Sequence, residues 1–135
     1  MNLVRFRTAS GVFLAPMASV LEVRPSGELQ ALPGRREGVA GLVEKDGRVL
    51  TVLSTLGAGG AHVLLLNSAN GSFGLLTEEV LGVVKVPESE IQPPPLGQTR
   101  DLVSGAVNTR GRLELIVSVE ALWQELQGKH QPAET

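Results

Sequence analysis

Residues 41–54, GLVEKDGRVLTVLS, and residues 105–118, GAVNTRGRLELIVS, are two versions of one segment, sixty-four positions apart. Gly41, Val43, Gly47 and Arg48 fall on Gly105, Val107, Gly111 and Arg112, and both segments end in Ser. A second echo lies upstream, where TASGVFLAPMASVLEV at 8–23 answers SANGSFGLLTEEVLGV at 68–83. There Gly11, Phe13, Val20, Leu21 and Val23 meet Gly71, Phe73, Val80, Leu81 and Val83. Two echoes in the same order imply two similar halves of about sixty residues each. Halves of that size are marginal alone, so they should share buried surface. The expected organisation is one domain over 1–127, with pseudo-repeated subdomains at about 8–56 and 61–119 and a flexible tail at 128–135.

Short runs rich in Val and Leu, broken by glycine turns, dominate the first 119 positions. Helices need longer runs at 3.6 spacing, so the pattern is one of strands. They are expected at 2–8, 11–15, 20–24, 39–44, 48–53, 61–67, 72–76, 79–86, 103–109 and 112–118. Asp46-Gly47 and Asn70-Gly71 suit hairpin turns whose central residues need positive φ, and Arg110-Gly111 and Ser10-Gly11 sit at equivalent points. LGAGGAH at 56–62 reads as a join, and the three prolines at 93–95 favour an extended path. Val119, Leu122, Trp123 and Leu126 form a helical stripe, with Ser118 placed to cap it and Glu120 in the first turn. The fold class is all-β: two small five-stranded barrels on a shared core, with a short C-terminal helix.

The residue inventory offers little chemistry. Without cysteine there is no thiol nucleophile, thiolate ligand or disulfide. His62 opens a strand and His130 lies near the end, leaving Asp46 and Asp101 as the only aspartates for a relay or metal site. Glu78-Glu79 reads as a solvated turn, and GAGG at 57–60 lacks the Lys-Ser/Thr ending of a phosphate loop. No enzyme, cofactor or metal is expected. A net charge of −2 and only four aromatic residues disfavour the alternative of a β-barrel nucleic-acid module. No segment approaches a membrane span or a secretory leader, so the expected location is the cytoplasm.

The ordered blocks LVRF, SVLEVRP at 19–25, LPGRREGVAGLV at 32–43, DGRVLTVL at 46–53, GSFGLLTEEVLGVVKVP at 71–87 and LVSGAVNTRGRLELIVSVEAL at 102–122 resemble the CheW-like domain family of bacterial chemosensory systems. The resemblance runs from residue 3 to about 126 and implies barrels of SH3-like character. It implies a non-catalytic adaptor coupling a chemoreceptor tip to the regulatory domain of a CheA-type histidine kinase, in chemotaxis or pilus-type signalling. By position it places Val20 and Val39 on the wall of an inter-barrel groove for the receptor helix, with Gly41 permitting close approach. Pro95 and Leu96, in an exposed proline-rich loop, are expected at the kinase contact.

The family's usual Asn-Leu-Arg-Gly turn is here Glu44-Lys45-Asp46-Gly47, so an acid replaces the arginine that commonly pairs with the glutamate at Glu22. Two facing acids repel, so Arg48, Lys45 or Arg24 is expected to take over the pairing. The departure admits a second reading, a diverged member that binds only the kinase or associates with itself.

Overall fold

The computed structural model describes residues 1–32, 34, 37–95 and 102–130. Ten strands and one helix follow in order: β1 (Asn2–Thr8), β2 (Gly11–Pro16), β3 (Val20–Pro25), β4 (Val39–Lys45), β5 (Arg48–Leu53), β6 (His62–Asn67), β7 (Ser72–Thr77), β8 (Glu79–Lys85), β9 (Val103–Thr109), β10 (Arg112–Val117) and α1 (Val119–His130). Each expected strand is present with its ends shifted by one residue at most. Ser118 leaves the strand to cap α1: its Oγ accepts the Ala121 N–H at 3.1 Å. The helix runs on to His130, so residues 128–130 of the expected tail are helical. Residues 131–135 lie outside the described residues.

The strands form two five-stranded sheets, ordered β8-β1-β2-β10-β9 and β3-β6-β7-β5-β4, which curl into SH3-like barrels. These barrels do not follow the boundaries 8–56 and 61–119 expected from the repeat. Each half lends its first hairpin to the other half's barrel. The β1–β2 hairpin pairs in parallel with β10 (Phe13 with Leu115, Leu14 with Ile116) and along β8. The β6–β7 hairpin pairs in parallel with β5 (Gly74 with Val52, Leu75 with Leu53) and along β3. Between β2 and β3 the three-residue 3-10 turn Met17–Ser19 carries the chain from one sheet to the other.

The repeat survives this exchange in fine detail. Gln30 exchanges backbone hydrogen bonds with Leu42, and Gln92 does the same with Ala106. Gly41 stands opposite Val52 as Gly105 stands opposite Ile116. The β4–β5 turn holds Asp46 at φ 53° and Gly47 at 80°, and the β9–β10 turn holds Arg110 at 52° and Gly111 at 81°. Asn70-Gly71 does not follow them, because Asn70 is not at positive φ. Ser68 builds that turn instead, its Oγ accepting the N–H groups of Asn70 and Gly71.

Strand alternation distributes the core. On β6, Val63 and Leu65 point into one barrel while Leu64 and Leu66 join the core between barrels. Phe6, Phe13, Phe73 and Leu122 complete that shared core, and Leu3, Leu14, Val107 and Ile116 fill the other barrel. α1 therefore seals the junction with Val119, Leu122 and Leu126.

Candidate functional site

β3 and β4 lie at opposite edges of their sheet, and closure of the barrel brings them side by side. Polar side chains span the seam. Lys45 Nζ lies 2.8 Å from Glu22 Oε2 and 3.5 Å from Asp46 Oδ2. Arg24 donates through Nε to Glu22 Oε1 at 3.2 Å and through Nη1 to the Glu44 carbonyl. Glu22 and Asp46 are thus joined through one lysine. Arg48 is exposed and forms no ion pair among the described residues. Of the three cations expected to compensate the acids, Lys45 and Arg24 do so and Arg48 does not. Lys45, then Arg24, hold the Glu22 carboxyl below the usual carboxylate range, and Glu22 in turn raises Lys45 and Arg24.

Val20 and Val39 are half-buried and both pack on the shared core between the barrels. Val39 also lines a 590 Å³ depression with Leu32, Gly38, Ala40 and Ser54. Gly41 serves a different end from the groove contact expected of it. It is buried, at φ 154°, and a Cβ there would lie 2.5 Å from the Gln30 carbonyl oxygen. The close approach it permits is to its own chain, where Gln30 bridges to β4. Arg48 lines a separate 400 Å³ depression with Leu21, Lys45, Asp46 and Gly71. Pro95 is half-buried rather than exposed, and Leu96 lies outside the described residues.

His62 is half-buried, with Nδ1 at 3.5 Å from the Glu78 carbonyl oxygen. No group of three His, Cys, Asp or Glu able to hold a metal occurs among the described residues. No helix among them is long and apolar enough to cross a membrane.

One set of surface residues escaped the sequence reading. Leu21, Val23 and Val49 are exposed, and so are their repeat equivalents Leu81, Val83 and Leu113. Their signal was available in the repeat alignment, where apolar residues recur at outward positions of the two halves.

The sequence model of the CheW-like domain family matches residues 2–127. The chain belongs to the CheW-like domain family. Protein FrzA of Myxococcus xanthus is 32% identical over 112 residues, covering 75% of this chain and 70% of FrzA. The crystal structure of the scaffolding protein TtCheW from Thermoanaerobacter tengcongensis aligns with a TM-score of 0.77 at 21% identity, covering 87% of this chain and 88% of that one. That likeness establishes the double-barrel fold.

Proposed function

We propose that this CheW-like chain is a non-catalytic adaptor that couples a chemoreceptor tip to the regulatory domain of a CheA-type histidine kinase in the cytoplasm. Residues 1–127 act as one domain, because the exchanged hairpins leave neither barrel complete without the other half. The observation that carries the proposal is the pair Val20 and Val39, apolar and half-exposed on the core between the barrels. An amphipathic helix recognises such a surface through apolar anchors and needs no catalytic group. The seam of Glu22, Lys45 and Asp46 begins two residues along β3 from Val20 and sets the charge on that side. Pro95 and Leu96 remain the proposed kinase-side contacts.

Calorimetry with a receptor-tip helical hairpin and with a kinase regulatory domain tests this. Val20→Asp and Val39→Asp should weaken the receptor arm by tenfold or more, a loss of about 1.4 kcal/mol, and leave the kinase arm unchanged. Absence of heat with both partners would remove the adaptor reading. Heat with the kinase alone would favour a kinase-only scaffold.

A further inference from the structure

The two barrels close differently. Between β3 and β4, Lys45 bridges to Glu22, and Arg24 bridges to the Glu44 carbonyl. Between β8 and β9, the repeat puts Gly82 and Val84 in place of Glu22 and Arg24, and Asn108 and Thr109 in place of Glu44 and Lys45. The ladders agree: Gly82 pairs with Arg5 and Val84 with Leu3, as Glu22 pairs with Leu65 and Arg24 with Val63. Glycine and valine carry no polar side-chain group, so neither bridge has a counterpart at the second seam. A crevice of 340 Å³ opens there, walled by Val84 of β8 on one side and by Asn108 and Thr109 of β9 on the other.

The crevice is also charged. Arg5 and Glu114 both line it and satisfy each other at 2.8 Å. They stand where the other barrel has Leu65 and Leu50, and they keep this wall polar. Lys85, Glu90 and Arg110 line it too, all three exposed and none in an ion pair among the described residues. Glu28, the repeat equivalent of Glu90, has Arg24 as its partner at 3.6 Å, and Val84 takes that partner away from Glu90. The crevice therefore presents two cations and one carboxylate that lack partners among the described residues. Its volume lies at the lower end of the range for ligand pockets, about 300–1,000 Å³, which suits a small ligand.

We infer that the crevice between β8 and β9 binds a small acidic amino acid, a ligand with two carboxylates and one ammonium. Those three charges complement Lys85, Arg110 and Glu90 in number and sign. A dicarboxylate without the ammonium leaves Glu90 facing only anions, and an amino acid with one carboxylate leaves a cation unmatched. The polar wall has the same logic. A buried ion pair is a poor source of stability, and leucines serve at the equivalent positions, so Arg5 and Glu114 are explained by the ligand rather than by the fold. Neither Val20 nor Val39 lines the crevice, so this site stands apart from the adaptor surface and does not depend on that reading.

Amide NMR of the full chain, titrated at constant ionic strength, tests the assignment. L-Glutamate should shift the Val84, Asn108 and Thr109 amides saturably, with a Kd of about 1 mM or below. Glutarate, which lacks the ammonium, and 4-aminobutyrate, which lacks one carboxylate, should each bind at least about fivefold more weakly. Lys85→Gln combined with Arg110→Asn removes both cations, and asparagine tolerates the φ of 52° at that turn. It should weaken L-glutamate binding at least about tenfold. Val84→Arg restores the residue type of Arg24, gives Glu90 a partner and fills the crevice, so it should weaken binding at least about tenfold as well. Both variants should keep the parent's amide pattern away from the crevice, which shows them folded. No saturable shift up to about 20 mM L-glutamate would overturn the inference. So would glutarate and 4-aminobutyrate binding as tightly as L-glutamate, or variants that bind it unchanged.

Discussion

Arg5 Nη2 donates to Glu114 Oε1 across 2.8 Å, at the positions where the other barrel places Leu65 and Leu50. The ion pair is largely buried, with Thr109 Oγ1 also donating to Glu114 Oε1 at 3.4 Å. Two leucines at equivalent positions show that the barrel geometry does not demand charge there. Glu114→Leu alone leaves Arg5 facing an apolar wall and should destabilise by about 1.5–3 kcal/mol in chemical denaturation. Arg5→Leu combined with Glu114→Leu should recover most of that loss, because a buried ion pair replaced by packed apolar residues is often neutral or better. Equal destabilisation by the single and the double variant would contradict this account.

The seam between β3 and β4 yields a titration prediction. The folded pKa of Glu22 is lowered, chiefly by Lys45 and then by Arg24. Its contribution to stability is therefore present above the ordinary glutamate pKa and is lost as pH falls through the lowered value. Lys45 is raised, chiefly by Glu22, so its contribution is present below the ordinary lysine pKa and is lost as pH rises through the raised value. Between those limits the pair is intact. Carboxyl-carbon NMR should find Glu22 titrating below a free glutamate, and Lys45→Met should move it upward. A Glu22 titration unchanged by Lys45→Met would mean that the contact does not persist in solution.

Gly71 marks where α1 docks on the β6–β7 turn. A Cβ there would come within 2.5 Å of Trp123 Cη2, and the indole also packs 6.1 Å from the Phe73 ring centre. Ala69 N–H donates to Glu120 Oε2 at 2.7 Å, fixing the same turn to the start of the helix. Gly71→Ala should therefore cost about 1–3 kcal/mol through overpacking. Trp123 is the sole tryptophan, so its emission should shift to the red as the ring is displaced. Trp123→Leu in the Gly71→Ala background should return part of the stability.

Strands and turns were legible because period-two alternation and paired turn residues are local signals. The barrel partition was not. Exchange of β1–β2 and β6–β7 is decided by parallel pairing with β10 and β5, between residues about a hundred or twenty positions apart, and no local pattern records it. The Arg5–Glu114 pair is hidden for the same reason, its members being 109 positions apart. At the seam, charge counting left Arg24, Lys45 and Arg48 as equal candidates. Closure of the sheet edges selected Lys45, while Arg24 reaches Glu22 from two residues along the same strand. Gly41 shows the opposite failure: the need for close approach was visible, but its object was the chain's own Gln30.

Asp46 is the position at which the function proposed here is most sharply testable. An arginine fits its turn, since Arg110 already occupies the equivalent position at φ 52°. The Asp46 carboxylate is exposed and lies 3.5 Å from Lys45, so its loss removes only a surface ion pair. Such a pair contributes about 0–1 kcal/mol, and the melting temperature of Asp46→Arg should barely move. Binding should respond far more, because a reversed charge beside a groove repels a partner selected for the usual sign. Lys45 already neutralises Glu22, so the added arginine remains available to an incoming acidic side chain. Asp46→Arg should therefore bind a typical receptor-tip hairpin at least about fivefold more tightly than the parent, read by calorimetry at two salt concentrations. The gain should shrink at the higher salt if charge is its source. A variant that binds no better, together with Val20→Asp and Val39→Asp variants that bind no worse, would remove receptor docking from the proposed function.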